Sequence, residues 1–479
     1  MIGVFSVRQV RLAETELMAR LPEGALMQRA AAALAAQCAR VLGGPYGANI
    51  ALLVGAGDNG GDALYAGARL ARRGARVDAV LLRADQAHPR GLTALRAAGG
   101  RVSNRPVRTI ARADLVVDGM LGIGGRGGLR DDAARLAEIT EDRGGLVVAV
   151  DLPSGIEPDT GETPGPHVRA DITVTFGARK IGLVVDPARA AAGRIVDVDI
   201  GLGPFLPRPT VQVLEDADVA GLLPVPARDT DKYRRGVVGV LAGSREYTGA
   251  AVLTVGGAVR GGAGMVRYPG GAADAVRSRW PEVVAASGRV QAWVIGPGLG
   301  ESQRSEVAKA LAEGVPVIMD ADGLRHLPAR FDTPALLTPH AGELARLLEV
   351  PRDDVEARRL HFACAAARRW NVTVLLKGST TLVVGPDGRV RANPTGTPAL
   401  ATAGSGDVLS GLAGALLAGG LDPFDAGSVA AYVHGVAGRL AGRTAAYPSA
   451  TDILDALPHA FPHNRPTAVL HSGLAQSSA

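Results

Sequence analysis

Asp407 stands at the end of a glycine-rich turn, ATAGSGDVLSG at 401–411, immediately before an apolar helical run. An acid in that place has two chemistries open to it. It can cap the helix, or it can act as a base beside a phosphate, because a helix N-terminus offers free N–H groups and the positive end of a dipole. Local sequence does not choose between them. The same question recurs in the other half of the chain. In VGAGDNGGDALYAGARL, a Gly-rich strand-to-helix turn carries Asp58, Asn59 and Asp62, side-chain oxygens suited to a cation or a sugar hydroxyl. VVDGMLGIGGRGG adds Asp118, VAVDLPSGIEPDTG adds Asp151 and Ser154, and TFGARKIGL adds Lys180. Any one of these acids is explained as a turn former or cap. Several at successive strand ends are not.

Lysine usage sharpens the list. Of 52 basic residues only Lys180, Lys232, Lys309 and Lys377 are lysines. A chain that defaults to Arg keeps Lys where a compact point charge is needed. Lys309, in the helical VAKALAEG, reads as surface; the other three are candidates.

The elements that must position these groups alternate between strand and helix. NIALLVGAG, ARVDAVLLR, DLVVDGM and GLVVAVDLPSG are apolar runs ending in glycine-rich or acidic loops, with helical stretches between them. That alternation predicts an α/β fold with a mostly parallel sheet whose C-terminal strand ends share one edge. The opening 7–42 is helical by spacing, broken only at LPEG. GLGPFLPRPT at 201–210 reads as a linker, after which a second α/β series begins with GVVGVLAGS, VQAWVIGPGLG, VPVIMDADG, PALLTPH, VTVLLKGS and TTLVVGPDG. Two domains are expected, 1–205 and 206–460, followed by a disordered tail at 461–479.

Composition excludes several classes. A net charge of +5 is weak over 479 residues, and no Lys/Arg run interleaves with aromatics, so nucleic acid is not an expected partner. No apolar run suits a signal peptide or a membrane span, and Cys38 and Cys364 fit no metal or disulfide spacing. A cytoplasmic protein acting on small molecules is the expectation. The Ala-rich opening helices suit core packing or a partner copy equally, and a homo-oligomer is expected.

GAGDNGGD, VDGMLGIGGRG, DLPSG and TFGARK resemble the motifs of the NAD(P)HX epimerase family and span nearly the whole first half. The resemblance implies a Rossmann-like, three-layer domain acting on hydrated NADH or NADPH, with potassium held by Asn59, Asp118 and Ser154. Substrate would lie along Asp58, Asn59, Gly60, Gly61 and Asp62, and along Gly122, Ile123, Gly124, Gly125, Arg126, Gly127 and Gly128. Asp151 would be the acid/base group at the reacting end, with Lys180 as its electrostatic helper. Asp58 replaces a usual Asn and Ala63 a usual Gly.

The second series, from about 231 to about 455, resembles the ADP- or ATP-dependent NAD(P)H-hydrate dehydratases of ribokinase-like fold through IGPGLG, MDADGL, LTPHAGE, LLKGSTTLV and NPTGTPALATAGSGDVLSG. Here the resemblance implies nucleotide binding by Lys377, Gly378, Ser379, Thr380, Thr381 and Gly406, and substrate binding by Ala250, Gly298, His340 and Asp407. Asp407 would accept the proton of a hydroxyl that receives a phosphoryl group, with Mg²⁺ implied by phosphoryl transfer. Arg325 replaces a usual Asn, and DKYRRG a usual HKG opening. The expectation is a two-activity repair enzyme. Its rival is a ribokinase-like small-molecule kinase with a non-catalytic N-terminal binding domain.

Overall fold

The structure, a computed structural model, describes residues 1–225, 227–300 and 303–462. Most of the expected tail at 461–479 lies outside the described residues. By backbone contacts the chain divides into two compact units, Met1–Val213 with Met319–Gly396, and Leu214–Ile318 with Thr397 onward.

In the first unit, β1 (Ile2–Phe5) precedes α1 (Val7–Met18) and α2 (Ala25–Val41). Ser6 caps α1 in a reciprocal box with Gln9, and the apolar stripe Val7, Val10, Ala13, Leu17 is its buried face. Then come β2 (Asn49–Val54), α3 (Asp58–Ala71), β3 (Arg76–Leu81), α4 (Pro89–Ala97), β4 (Arg101–Val102), α5 (Pro106–Arg112), β5 (Leu115–Gly119), α6 (Asp131–Arg143), β6 (Leu146–Val150), β7 (Ile172–Phe176), β8 (Arg179–Lys180), α7 (Ala188–Ala191), β9 (Arg194–Val198) and β10 (Val211–Val213). Seven strands form an all-parallel sheet in the order β4-β3-β2-β5-β6-β7-β9. Its two faces feed separate cores: Ile50, Leu52 and Val54 of β2 pack with α1 and α2, while Ala51 and Leu53 pack with Ile110 of α5 and Leu136 of α6. A strand buried on both faces needs a continuous apolar run, and NIALLV supplies it. The order reverses beside β2, since β3 lies on one side and β5 on the other. The crevice at the C-terminal ends of β2 and β5 is therefore the topological switch point.

The stretch 201–210 lies against this unit. Leu202 is buried, the Arg20 guanidinium stacks over Phe205, and the Thr210 N–H donates to the Val4 carbonyl at 3.0 Å. It leads into β10, which pairs antiparallel with β1.

The second unit begins with α8 (Asp216–Leu222), β11 (Val237–Leu241), α9 (Thr248–Arg260), β12 (Met265–Arg267), α10 (Ala273–Arg279), β13 (Ala292–Ile295) and α11 (Arg304–Ala312); β14 (Val317–Met319) reaches the boundary. β11 pairs in parallel with both β12 and β13. The chain then returns to the first unit with β15 (Ala335–Leu337), α12 (Ala341–Leu348), α13 (Arg352–Ala357), α14 (Arg359–Trp370), β16 (Thr373–Leu376), β17 (Thr381–Val384) and β18 (Val390–Asn393). Within that unit β15-β16-β17-β18-β10-β1-β8 lie side by side in that order. The chain's last helices, α15 (Ser405–Ala418), α16 (Pro423–Thr444) and α17 (Ala450–Ala460), belong to the second unit.

Two helices of the second unit approach to backbone contact. A Cβ on Gly257 would lie 2.3 Å from the Val408 carbonyl oxygen, and one on Gly411 would lie 1.9 Å from that of Thr254. Gly404 faces Leu253 and Gly261 faces Ala415, so α9 and α15 run the same way and open at the same end. The GLAGALLAGG run is thus a buried helix, as its small residues predict.

Candidate active sites

The switch point gathers the first set of groups. Gly55 follows β2, where a Cβ would sit 1.8 Å from the Met120 carbonyl oxygen, and a Cβ on Gly60 would sit 2.2 Å from that of Gly55. Only glycine lets the two loops close on each other. This puts Asn59, in the first turn of α3, against the loop after β5: its amide donates to the carbonyls of Leu121 at 2.9 Å and Val150 at 2.7 Å. Asp118, wholly buried, accepts from the Ser154 hydroxyl at 2.6 Å, the Ser154 N–H at 2.8 Å and the Met120 N–H at 3.2 Å. Burial pushes the Asp118 carboxyl up to about 6, against the pull of those hydrogen bonds.

One buried carboxylate, a hydroxyl and two converging carbonyls make an all-oxygen set with a single negative charge. Among the described residues no group of three or more His, Cys, Asp or Glu stands ready for a metal. The set suits a hard monovalent cation, and turning the Asn59 amide about its terminal bond would add a further oxygen. Potassium fits these residues.

Next to it lies a second cluster. Asp151 follows β6 with φ +66, a left-handed backbone uncommon outside glycine and a form of strain that collects at functional sites. One carboxylate oxygen, Oδ1, accepts from Lys180 Nζ, from Thr175 Oγ1 at 3.1 Å and from the Phe176 N–H at 3.2 Å. Oδ2 takes no hydrogen bond from any described residue. Lys180 is 1% exposed, and its ammonium also donates to Thr175 Oγ1 at 2.9 Å and the Ala178 carbonyl at 3.0 Å. Its three protons are spent. Asp62 is 8% exposed, and its Oδ1 has no partner. Burial first, then the charges of Asp151, Asp58 and Glu14, hold its carboxyl well above the usual range.

The remaining residues of this set lie close by. Gly122 touches the Asn59 side chain, and the Gly127 N–H is tied to Glu157 at 2.5 Å. Gly124 and Arg126 are exposed on that loop, and Ile123 and Gly125 are half-buried. Ala63 is accommodated because its neighbour across the contact is Gly119. Sequence gave no warning of Glu14, which α1 brings to the same cluster. In LAETELM it looks like any solvated helix glutamate.

The second set falls into two groups, one in each unit. In the second unit, Gly298 (φ +66) packs on Ala250 of α9, with 2.8 Å left between that side chain and a Cβ built at 298. The loops after β11 and β13 are joined by the Gly243 N–H, which donates to the Pro297 carbonyl at 2.6 Å. At the same end, α15 is capped by Gly404 (φ +86), and Asp407 is the third residue of its first turn, after Ser405 and Gly406. The cap is Gly404, so Asp407 does not serve as one. His434 is buried in α16 and shares a 3.2 Å hydrogen bond with Ser405, the first residue of that turn. A cavity of about 520 Å³ lies beside β11, lined by Ser244, Arg245, Glu246, Gly270 and Gln303, none of which sequence reasoning selected.

In the first unit, Lys377 ends β16 and donates to the buried Asp320 at 2.8 Å, with Glu343 at 3.7 Å. The His340 ring caps α12, accepting from the Glu343 N–H at 3.2 Å, while 54% of the side chain stays exposed. Burial holds its pKa below the ordinary imidazole value, with Glu343 opposing and Lys377 reinforcing. Gly378 and Ser379 are exposed, Thr381 is half-buried, and the buried Thr380 donates its N–H to Asp186 at 2.7 Å. Arg325 is exposed and, among the described residues, pairs with Asp322 at 3.6 Å. Lys232 and Lys309 are exposed as well; of the three lysines singled out, Lys232 joins neither set.

A family model described as NAD(P)H-hydrate dehydratase matches residues 238–459, and one described as YjeF-related protein N-terminus matches 23–182. The bifunctional NAD(P)H-hydrate repair enzyme Nnr of Mycobacterium leprae is 47% identical over 466 residues, covering 94% of this chain and 95% of that protein. The chain belongs to the bifunctional NAD(P)H-hydrate repair enzyme family. The corresponding Mycobacterium tuberculosis protein is 48% identical over 87% of this chain and 89% of its own length. Among solved structures, an ADP/ATP-dependent NAD(P)H-hydrate dehydratase from Bacillus subtilis, co-crystallised with ATP/Mg²⁺, matches with TM-score 0.50 and 31% identity, covering 52% of this chain and 97% of that one. A likeness running through both halves sets aside the expectation's rival, a kinase with a non-catalytic N-terminal domain.

Proposed function

We propose that the chain interconverts the two epimers of hydrated NADH or NADPH at the switch-point site, and dehydrates one of them at the site around Asp407 using a nucleoside di- or triphosphate. The observation that carries this reading is the reach of the family likeness, 94% of the chain and both family models.

For epimerisation, the hydrate carries a hydroxyl on a ring carbon next to nitrogen. Inversion there requires oxygen to leave one face and return to the other, with a group that gives or takes a proton. Asp151 is that group. Lys180, Thr175 and the Phe176 N–H fix Oδ1, which leaves Oδ2 for substrate. Lys180 acts through Asp151 and is a positioning residue. Asp58 to Asp62 and the 122–128 loop hold the rest of the substrate. A potassium ion held by Asn59, Asp118 and Ser154 supplies fixed positive charge beside an anionic dinucleotide.

For dehydration, the first turn of α15 offers the Gly406 N–H to a phosphoryl group, the Ser405 N–H being tied to the Thr402 carbonyl at 3.3 Å, and Asp407 takes the proton of the hydroxyl that attacks it. The phosphorylated hydroxyl then leaves as phosphate, and loss of a proton from the adjacent carbon restores the dihydronicotinamide double bond. Ala250, Gly298 and His340 hold substrate; Lys377 to Thr381 hold nucleotide. Mg²⁺ would accompany the nucleotide and offset the charge on its phosphates. The compartment is reducing, in keeping with the free thiols Cys38 and Cys364.

The test mixes the full chain with an epimer mixture, Mg²⁺ and K⁺, with ADP or ATP added or omitted, and follows dihydronicotinamide absorbance. Complete nucleotide-dependent recovery, faster than spontaneous epimerisation, is expected. Recovery that stops at one epimer's share would remove the epimerase reading, and accumulation of a stable phosphorylated product would remove the dehydratase one.

A further inference from the structure

Inversion at one carbon needs proton transfer at two faces, and Asp151 serves one. A cavity of about 720 Å³ in the first unit reaches Phe176, a neighbour of Asp151, and has Glu14, Asp58, Asp62, Tyr65 and Ile200 in its walls as well. Phe176 connects cavity to carboxylate, since its own N–H donates to Asp151. Glu14 reaches the cavity from α1 and makes no hydrogen bond or ion pair with any described residue. A helix glutamate with no partner is ordinarily solvated, whereas burial raises the pKa of this one. Around it stand Lys180 and Arg11, which lower that pKa, and Asp151 and Asp58, which raise it; Asp62, Glu23, His88 and Arg90 line the same cavity. Asp62 adds an independent sign of a ligand. It is more than nine-tenths buried, and its Oδ1 lacks a partner in the same cavity wall. Buried oxygens are rarely left so unless something else completes them.

We infer that Glu14 is a second acid/base group of the epimerisation, acting on the ring face turned away from Asp151. The inference rests on the epimerase reading above. In the step, the ring nitrogen lone pair forms a C=N⁺ bond as the C–O bond breaks. The bonding pair goes to oxygen, which takes the Glu14 proton and departs as water. A water on the other face then donates a lone pair to the carbon, the π pair returns to nitrogen, and Asp151 takes the proton released. One water leaves and one enters, and the proton has moved from Glu14 to Asp151. The reverse inversion starts from that state.

The test follows one purified epimer in the full chain without nucleotide, by a method that resolves both epimers, subtracting spontaneous exchange. Glu14→Gln keeps shape and loses the acid. Its epimerisation kcat is expected to fall about 100-fold with KM within about threefold, while Glu14→Asp retains a substantial share of the rate. A kcat within threefold of wild type, or a rise in KM alone, overturns the assignment. If Glu14→Gln melts early, Glu14→Asp decides, and its failure to epimerise while folded also overturns it. A wild-type chain that does not epimerise removes the parent reading as well, and is recognised before any variant is made.

Discussion

Each half of the chain sets a lysine on a buried carboxylate, and the two pairs differ in how far they are enclosed. Lys180 is 1% exposed and its three protons go to Asp151, Thr175 and Ala178. Lys377 has its side chain 20% exposed, with Asp320 at 2.8 Å and Glu343 at 3.7 Å. A fully enclosed ammonium whose donors are all used can only orient and charge-balance its partner. One whose side chain is 20% exposed keeps contact with solvent. Under the proposed function, the same pair of residue types is a brace in the first half and a docking point for nucleotide in the second.

The strongest way to break this comparison is at the carboxylates that do the chemistry. Asp407→Asn should lower nucleotide-dependent dehydration of the reactive epimer by roughly 10³- to 10⁴-fold, and leave epimerisation untouched. Asp151→Asn should do the converse, lowering epimerisation by roughly 10²- to 10³-fold with dehydration intact. Parallel losses in one variant would mean that the halves do not work as separate catalysts.

The lysines sharpen the comparison through stability. Lys180→Met leaves Asp151 without its ion-pair partner in a closed site, and breaking a buried pair in this way costs about 3–5 kcal/mol. Lys377→Met at a partly open site should cost about 1–2 kcal/mol, yet weaken nucleotide binding, seen as a raised KM for ADP or ATP. Denaturant midpoints of the two variants check the order. Equal losses would sink the distinction between brace and docking point.

The frame of the switch point was legible in the sequence: the apolar runs of β2, β5 and β6 predict a parallel sheet whose loop edge collects Asp118, Asp151 and Ser154. The close approaches at Gly55, Gly60 and Gly122 emerge only in the folded chain. What stayed hidden has a physical cause in each case. Whether Asp407 caps α15 depends on the backbone of Gly404, and φ +86 there is a property of the folded turn. Glu14 carries no local sign because its significance comes from α3 and the loop after β6, far along the chain. Lys232 looked as meaningful as Lys180 because rarity marks a residue without saying what surrounds it. β1 escaped notice because four residues hold too little pattern; its partners β10 and β8 supply the evidence.

The ion site is tested through Asp118. Its folded pKa of about 6 lies above the ordinary 3.8, so the folded state holds this proton more tightly than the unfolded state does. The contribution of this group to stability is thus present below about pH 4 and lost as pH rises to about 6, by at most about 3 kcal/mol. Without potassium, stability should decline across that window. A monovalent cation beside the carboxylate favours its ionised form, lowering the folded pKa and restoring what was lost. Potassium should then raise the melting temperature at pH 7.5 and do little at pH 4, compared with tetramethylammonium at equal ionic strength. Ser154→Ala should erase that gap, because it removes a neutral oxygen from the set while leaving the carboxylate in place. A gap of the same size at both pH values would mean that potassium acts elsewhere, since only the ionised Asp118 gains from a positive charge beside it.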